Sequence, residues 1–204
     1  MLFDDTYRTI ENPCEGIFRD RGSKFLAYAF PISAEAEIKE IVNSLKTEHP
    51  KANHYCWAMR LGTDRSIFKV NDDGEPSGTA GRPILNILLS RDLTNVLIVV
   101  VRYFGGTLLG VPGLINAYKQ ATEDALNHAV VIEKTVNDVY NIAFDYLQMN
   151  AVMRIIKDDD LTIILQQFDN SCTVQLSIRK MQVNQTLLKL NKVEGVEVNY
   201  SHSL

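Results

Sequence analysis

Long apolar stretches are missing from this chain. The longest purely aliphatic run, Val96 to Val101, has six residues, whereas a helix needs about 20 to span a bilayer, so no membrane-spanning segment is expected. The opening MLFDDTYRTIE carries acids where a secretory leader needs a basic and then an apolar stretch, and a cytoplasmic location is expected. Cysteine is scarce: Cys14, Cys56 and Cys172 are an odd number, far apart, with no CxxC or CxxH pair of the kind that holds zinc. Reduced, buried thiols are the plain expectation. A basic excess is also absent, since 21 Lys and Arg face 25 Asp and Glu for a net charge of −4. A dedicated nucleic-acid binder normally carries the opposite balance, so any RNA contact must be local. The Gly-Lys-Ser/Thr ending of a phosphate loop, the GxGxxG fingerprint, HExxH and the GxSxG nucleophile elbow are all missing.

What is present suits an ordinary globular protein. Apolar residues make up 46% of the chain and charged residues 23%, which excludes disorder and coiled coil. A chain of 204 residues fits one large domain or two small ones. The stretch from Thr6 to Ile32 reads as a strand hairpin turning at Arg21-Gly22-Ser23. Ser33 is placed as the N-cap of a helix carrying Ile38, Ile41, Val42 and Leu45 at helical spacing and stopped by Pro50. Strands follow at Asn53 to Leu61 and Ile67 to Val70, and Pro83 opens a second helix. Thr94 to Tyr103 has the unbroken aliphatic character of a central strand buried on both faces. A helix from Pro112 to Ala129 presents the inward stripe Leu114, Ala117, Tyr118, Ala121 and Ala125, whose alanines imply close packing on a sheet.

After Glu133 the pattern changes, and a linker open to proteolysis near Lys134 is expected between residues 1–134 and 136–204. Strand Asn137 to Phe144, helix Met149 to Lys157, strands Leu161 to Phe168 and Cys172 to Ile178 joined at Asp169 and Asn170, helix Val183 to Leu190 and strand Val196 to Tyr200 give the order βαββαβ. That order is the ferredoxin-like split motif. The predicted class is therefore α+β with two domains. Charges divide into 15 basic and 17 acidic before residue 135, and 6 and 8 after it, so neither half is a basic module.

Seven of the eleven glycines fall between Gly74 and Gly113, and such a cluster marks tight turns or backbone approached by a ligand. The first segment, DDGEPSGTAGRP, leads into a helix, where Gly78, Thr79, Gly81 and Arg82 offer an anion site; the alternative is a set of tight turns. Asp72, Asp73 and Glu75 supply oxygens for a hard cation, or simply form a polar turn. The second segment, RYFGGTLLGVPG, leaves the central strand, so Gly105 or Gly106 is expected to use positive φ or to touch a ligand. Lys24 and Arg102 stand at strand ends, where a long basic chain reaches an anion. Together with Arg82 they form the expected patch for RNA phosphate. His54 is weighed as a site residue against an ordinary core histidine, and Ser77 and Thr79 as nucleophiles against caps.

The segments SKFLAY (23–28), HPKANHYCWA (49–58), DDGEPSGTAGRPIL (72–85) and VVVRYFGGTLLG (99–110) resemble the Impact family, in its bacterial YigZ-like branch. The resemblance implies an N-terminal α/β domain of ribosomal-protein type, as in domain IV of elongation factor G, and a ferredoxin-like C-terminal domain like domain V of that factor. That pairing of domains also implies contact with RNA, the ribosome or a translation-associated protein; eukaryotic relatives regulate translation through an added N-terminal domain, for which no counterpart is expected here, so that mechanism is not carried over. Some bacterial relatives carry a proline-dipeptidase label, but neither a metal cluster nor a nucleophile with its base is legible, and a non-enzymatic role without cofactor or metal is expected. The alternative is an enzyme or sensor that holds a small anionic, phosphorylated ligand in the glycine-lined cleft.

Overall fold

A computed structural model describes residues 5–168 and 172–203; Asp169 and Asn170, the expected turn, lie outside them. The chain divides into two compact units, one of Tyr7–Lys134 and one holding Thr135 onward together with Asp5 and Thr6.

The first unit is built on an open antiparallel sheet. Its strands are β2 (Cys14–Asp20), β3 (Ser23–Pro31), β4 (His54–Leu61), β5 (Ile67–Asn71) and β6 (Val96–Tyr103), in the order β2-β3-β6-β4-β5. The central strand β6 alternates between two cores, as its unbroken aliphatic run requires. Val96, Ile98 and Val100 pack under helices α2 (Gly81–Ser90) and α3 (Gly110–Asn127), while Leu97, Val99 and Val101 pack under α1 (Glu37–Glu48). The result is a sheet with one helix on one face and two on the other.

Small residues set how closely α3 lies on the sheet. Ala27, Ala29 and Ala58 meet Ala117, Ala121 and Ala125 in one buried cluster. A Cβ on Gly16 would stand 2.1 Å from the Ala125 nitrogen, so only glycine fits beneath this part of the helix. The helix α1 begins at Glu37, four residues after the expected cap. Instead of Ser33 capping the helix, the Glu37 carboxylate reaches back to accept the Ser33 and Ala34 N–H groups at 2.7 and 2.8 Å. The Ser33 N–H bond leads in holding the Glu37 carboxyl below its ordinary value.

Two differences from the sequence reading concern strand pairing. The partner of β3 in the hairpin is β2, whereas β1 (Thr6–Ile10) pairs with β7 (Val131–Thr135) in a separate two-stranded ribbon. Lys134 therefore belongs to a paired strand and not to an open linker. Asp5 also groups with the second unit, where its carbonyl accepts the Val136 N–H at 2.6 Å and its carboxylate meets Arg179. The side-chain bond from Arg179 leads in holding the Asp5 carboxyl below its ordinary value.

The second unit contains β8 (Asn137–Phe144), a 3₁₀ turn, α4 (Met149–Asp158), β9 (Thr162–Phe168), β10 (Cys172–Arg179), α5 (Val183–Leu190) and β11 (Glu197–Ser203). All neighbouring strands are antiparallel in the order β11-β8-β10-β9, the ferredoxin-like arrangement. Val152 and Ile156 of α4 and Val183 and Leu190 of α5 close a core on Ile142, Phe144, Val174, Leu176 and Ile178. No helix among the described residues is long and apolar enough to cross a membrane.

Candidate functional site

The loop between β5 and α2 is organised by one carboxylate. Asp72 Oδ2 accepts the Gly78 N–H at 2.8 Å, and Oδ1 accepts the N–H groups of Ala80 and Gly81 at 3.1 and 2.8 Å. These are donors at the α2 N-terminus, which the sequence offered to an external anion. The protein supplies its own. The neighbouring carboxylate of Asp73 accepts the Tyr55 N–H at 2.6 Å, and the Thr79 hydroxyl donates to the Pro76 carbonyl at 2.6 Å. Thr79 thus closes a turn. Gly81 fits the backbone of β5, since its Cβ would come within 2.9 Å of the Asn71 nitrogen, and Gly78 takes φ +77°. Among the described residues no cluster of His, Cys, Asp or Glu is arranged to hold a metal ion.

Behind this loop lies a buried polar chain. Arg102, at the end of β6, donates from Nη1 to Glu75 Oε1 at 2.5 Å, with the two side chains only 6% and 3% exposed. The Tyr118 hydroxyl of α3 donates to the same oxygen at 2.7 Å, and Cys56 Sγ lies 3.3 Å from that hydroxyl and 2.9 Å from the Asp72 carbonyl. Phe25 and Phe104 flank the guanidinium, with ring centroids 5.4 and 5.6 Å from Cζ, and Arg102 Nε is buried without a partner. A buried charge needs a paired opposite charge to remain ionised. Glu75 therefore neutralises the arginine that was expected to hold phosphate.

Beside this chain opens a cleft of about 450 Å³, lined by Asn53, His54, Glu75, Arg102, Phe104 and the Leu108–Val111 segment among others. His54 faces it from the start of β4. Its Nδ1 is 2.8 Å from the Asp73 carbonyl, and since a carbonyl can only accept, that nitrogen is the donor. The loop after β6 is tied down by the Phe104 N–H donating to Asn53 Oδ1 at 2.8 Å and the Gly105 N–H to Ser23 Oγ at 3.1 Å. Gly106 takes φ +85° in open space, whereas Gly105 lies directly on Gly22. The rim is apolar and open: Phe104 is 44% exposed, Val111 51% and Leu108 82%.

The expected site residues are thus divided. His54, Glu75 and Arg102 meet at the cleft, Asp72 and Asp73 shape the loop behind it, and the glycines Gly78, Gly81 and Gly105 serve turns and close backbone approach. Lys24 pairs with Tyr103 while Phe25 pairs with Arg102, so strand alternation turns Lys24 toward the α1 face, away from Arg102. Arg82 is exposed on α2. No single basic patch of Lys24, Arg82 and Arg102 forms. The sequence reading missed Tyr118 and Cys56 as members of the polar chain, and Asn53, Phe104 and Leu108 at the cleft. Tyr118 had a legible signal, because a hydroxyl in an alanine-rich inward stripe needs a buried partner.

The stretch that builds this cleft matches the Impact N-terminal domain over residues 21–126. The chain belongs to the Impact family. It is 31% identical over 179 residues to the IMPACT family member YvyE of Bacillus subtilis, covering 88% of this chain and 82% of that one. It is 32% identical over 178 residues to the IMPACT family member YigZ of Escherichia coli, covering 86% of each. A crystal structure titled as that of a hypothetical protein superposes with a TM-score of 0.73 at 27% identity over 95% of this chain and 96% of that one. All cleft and network residues fall inside the stretch matched to the Impact domain, and the ferredoxin-like unit lies outside it.

The same chemistry predicts thiol and pH behaviour. Burial, the leading cause, pushes the Cys56 thiol and the Tyr118 hydroxyl well above their ordinary values, and raises Tyr28 to about 12. In the unfolded chain these groups ionise near 9 and 10. Their contribution to stability is therefore complete below pH 9 and is lost as pH rises through the window from 9 to 12. Urea melts at pH 8, 10 and 11 are expected to show progressively lower midpoints. With a disulfide reagent at pH 8, half-buried Cys14 reacts slowly, and Cys56 and Cys172, both buried, react only on unfolding.

Proposed function

We propose that the protein is a cytoplasmic regulator of translation that holds a translation-associated protein in the cleft between residues 53–54, Glu75 and the Phe104–Val111 loop. Family membership supports the link to translation, through the role that the family resemblance implies for its eukaryotic members. The choice of partner rests on one observation: the charges of the cleft are paired internally, with Arg102 Nε left as an unpartnered donor, while its rim is apolar and open. Asp72 occupies the donors of α2, Glu75 neutralises Arg102, and Leu108, Val111 and Phe104 expose apolar surface of the kind that marks partner contact. Neither RNA phosphate nor a small phosphorylated ligand finds an uncompensated cation there, so both readings of an anion-binding cleft are disfavoured.

Leu108→Asp tests this. Leu108 is 82% exposed, so the change alters stability by no more than about 0.5 kcal/mol. Loss of a buried leucine contact and insertion of a charge at the rim weaken partner binding about tenfold or more. The probe is the high-salt wash of ribosomes, which carries the associated factors, measured beside the washed ribosomes themselves. Nuclease-resistant binding to the wash that Leu108→Asp removes supports the reading. Binding that survives the substitution, or that nuclease abolishes, counts against it.

A further inference from the structure

A second depression lies on the other face of the sheet, away from the cleft. It is a groove of about 380 Å³ between α1 and the β4–β5 edge, bordered by Glu35, Lys39, Asn43, Lys46, Trp57 and Asn71 among others. Trp57 is the only tryptophan in the chain. It pairs with Asn71 across β4 and β5 and is half-buried, packed against the α1-side core. Its indole N–H has no partner among the described residues.

The charges around the groove do not cancel one another. Glu35 is paired with Lys69, whereas Asp73, at the same groove, keeps its negative charge while its carboxylate accepts the Tyr55 N–H. Lys46 lies over the Tyr55 ring, 5.5 Å from its centroid, and has no carboxylate partner among the described residues; neither has Lys39. Both lysines are exposed on α1. What remains open to a ligand is a flat aromatic floor, the Asn43 amide and the NH2 group of Asn71, whose Oδ1 already accepts the Asp73 N–H at 2.7 Å, and two uncompensated cations on one wall.

We propose that this groove binds single-stranded nucleic acid, with a base stacked on Trp57, an amide of Asn43 or Asn71 at the base edge, and the flanking phosphates held by Lys39 and Lys46. The parts match the ligand separately. Every base has a face that stacks on an aromatic ring, amide side chains complement base edges, and paired lysines on one helix wall track a phosphate backbone. An acidic peptide would use the cations but leave the aromatic floor and amides idle. The site also explains how a chain of net charge −4 would bind a polyanion: through one local arrangement, on the face opposite to Arg102.

Trp57 is its own reporter. Titration of the full chain with a ten-nucleotide oligoadenylate at low salt is expected to quench its emission saturably, with affinity falling steeply as salt rises. Lys39→Ala combined with Lys46→Ala, both on an exposed helix face, is expected to weaken binding about tenfold while leaving the urea midpoint unchanged. Labelled oligoadenylate followed by anisotropy is expected to bind Trp57→Phe more weakly and Trp57→Ala about tenfold more weakly than wild type. Unchanged emission at about 100 μM strand overturns the proposal. So does equal affinity of the double lysine variant, AMP binding as tightly as the strand, or a polyglutamate peptide quenching as well as RNA.

Discussion

Glu75→Ala is expected to destabilise the first unit by about 3–5 kcal/mol, because it strands the buried Arg102 guanidinium without its counter-charge. The same substitution takes away the acceptor of the Tyr118 hydroxyl, adding an unsatisfied buried donor. Arg102→Ala is expected to be similarly damaging, since it leaves the buried Glu75 carboxylate without a counter-charge and with only the neutral Tyr118 hydroxyl as donor. From sequence, Arg102 was expected to reach an anion from the strand end. The pair changed together to Met and Leu is expected to recover most of the loss, as a buried ion pair is often replaceable by apolar groups of similar volume. Urea unfolding followed by Trp57 emission reports this unit alone, because the second unit contains no tryptophan. A loss below about 1 kcal/mol for Glu75→Ala would mean that the guanidinium finds water or another partner.

Gly105→Ala is expected to cost about 3 kcal/mol and Gly106→Ala about 1 kcal/mol. The two glycines are adjacent and work differently. A Cβ on Gly105 would stand 2.0 Å from the carbonyl carbon of Gly22 and 2.2 Å from the Ser23 nitrogen. Both are backbone atoms in the β2–β3 turn, so the loop or the hairpin must move. A Cβ on Gly106 meets nothing within 4 Å, and its cost comes only from φ +85°. The same urea melts order the two variants. Equal costs would show that the loop does not rest on the hairpin turn in solution.

The contrast shows what the sequence made legible. The central strand was legible because six aliphatic residues in a row have no solvent face to offer, and the structure duly divides them between two cores. β8 and α5 were legible to the residue, since each carries one clear period and is followed by a turn-forming residue, Asp145 and Asn191. The strand β7 was not: Val131–Thr135 is short and mostly exposed, and its pairing with β1 joins segments more than a hundred residues apart. The glycine cluster marked the right window, yet nothing local separates Gly105 from Gly106. That difference depends on where Gly22 lies. Likewise the free donors of α2 were a sound inference from a glycine-rich helix start, but the carboxylate that takes them comes from Asp72, folded back from nine residues upstream of Gly81. Arg102 read as an anion ligand because charge is visible in sequence and neutralisation by Glu75 is not.

The cleft is proposed to dock a protein through its apolar rim, with its buried charges already paired. The most direct test is the salt dependence of wild-type binding to the high-salt wash of ribosomes, after nuclease treatment and desalting. Docking through Phe104, Leu108 and Val111 predicts an affinity that changes by less than about threefold between roughly 50 and 200 mM salt, because no phosphate counterions are released. A fall of about a hundredfold or more over the same range would mean that the contact is with a phosphate backbone, and would contradict the assignment of the cleft.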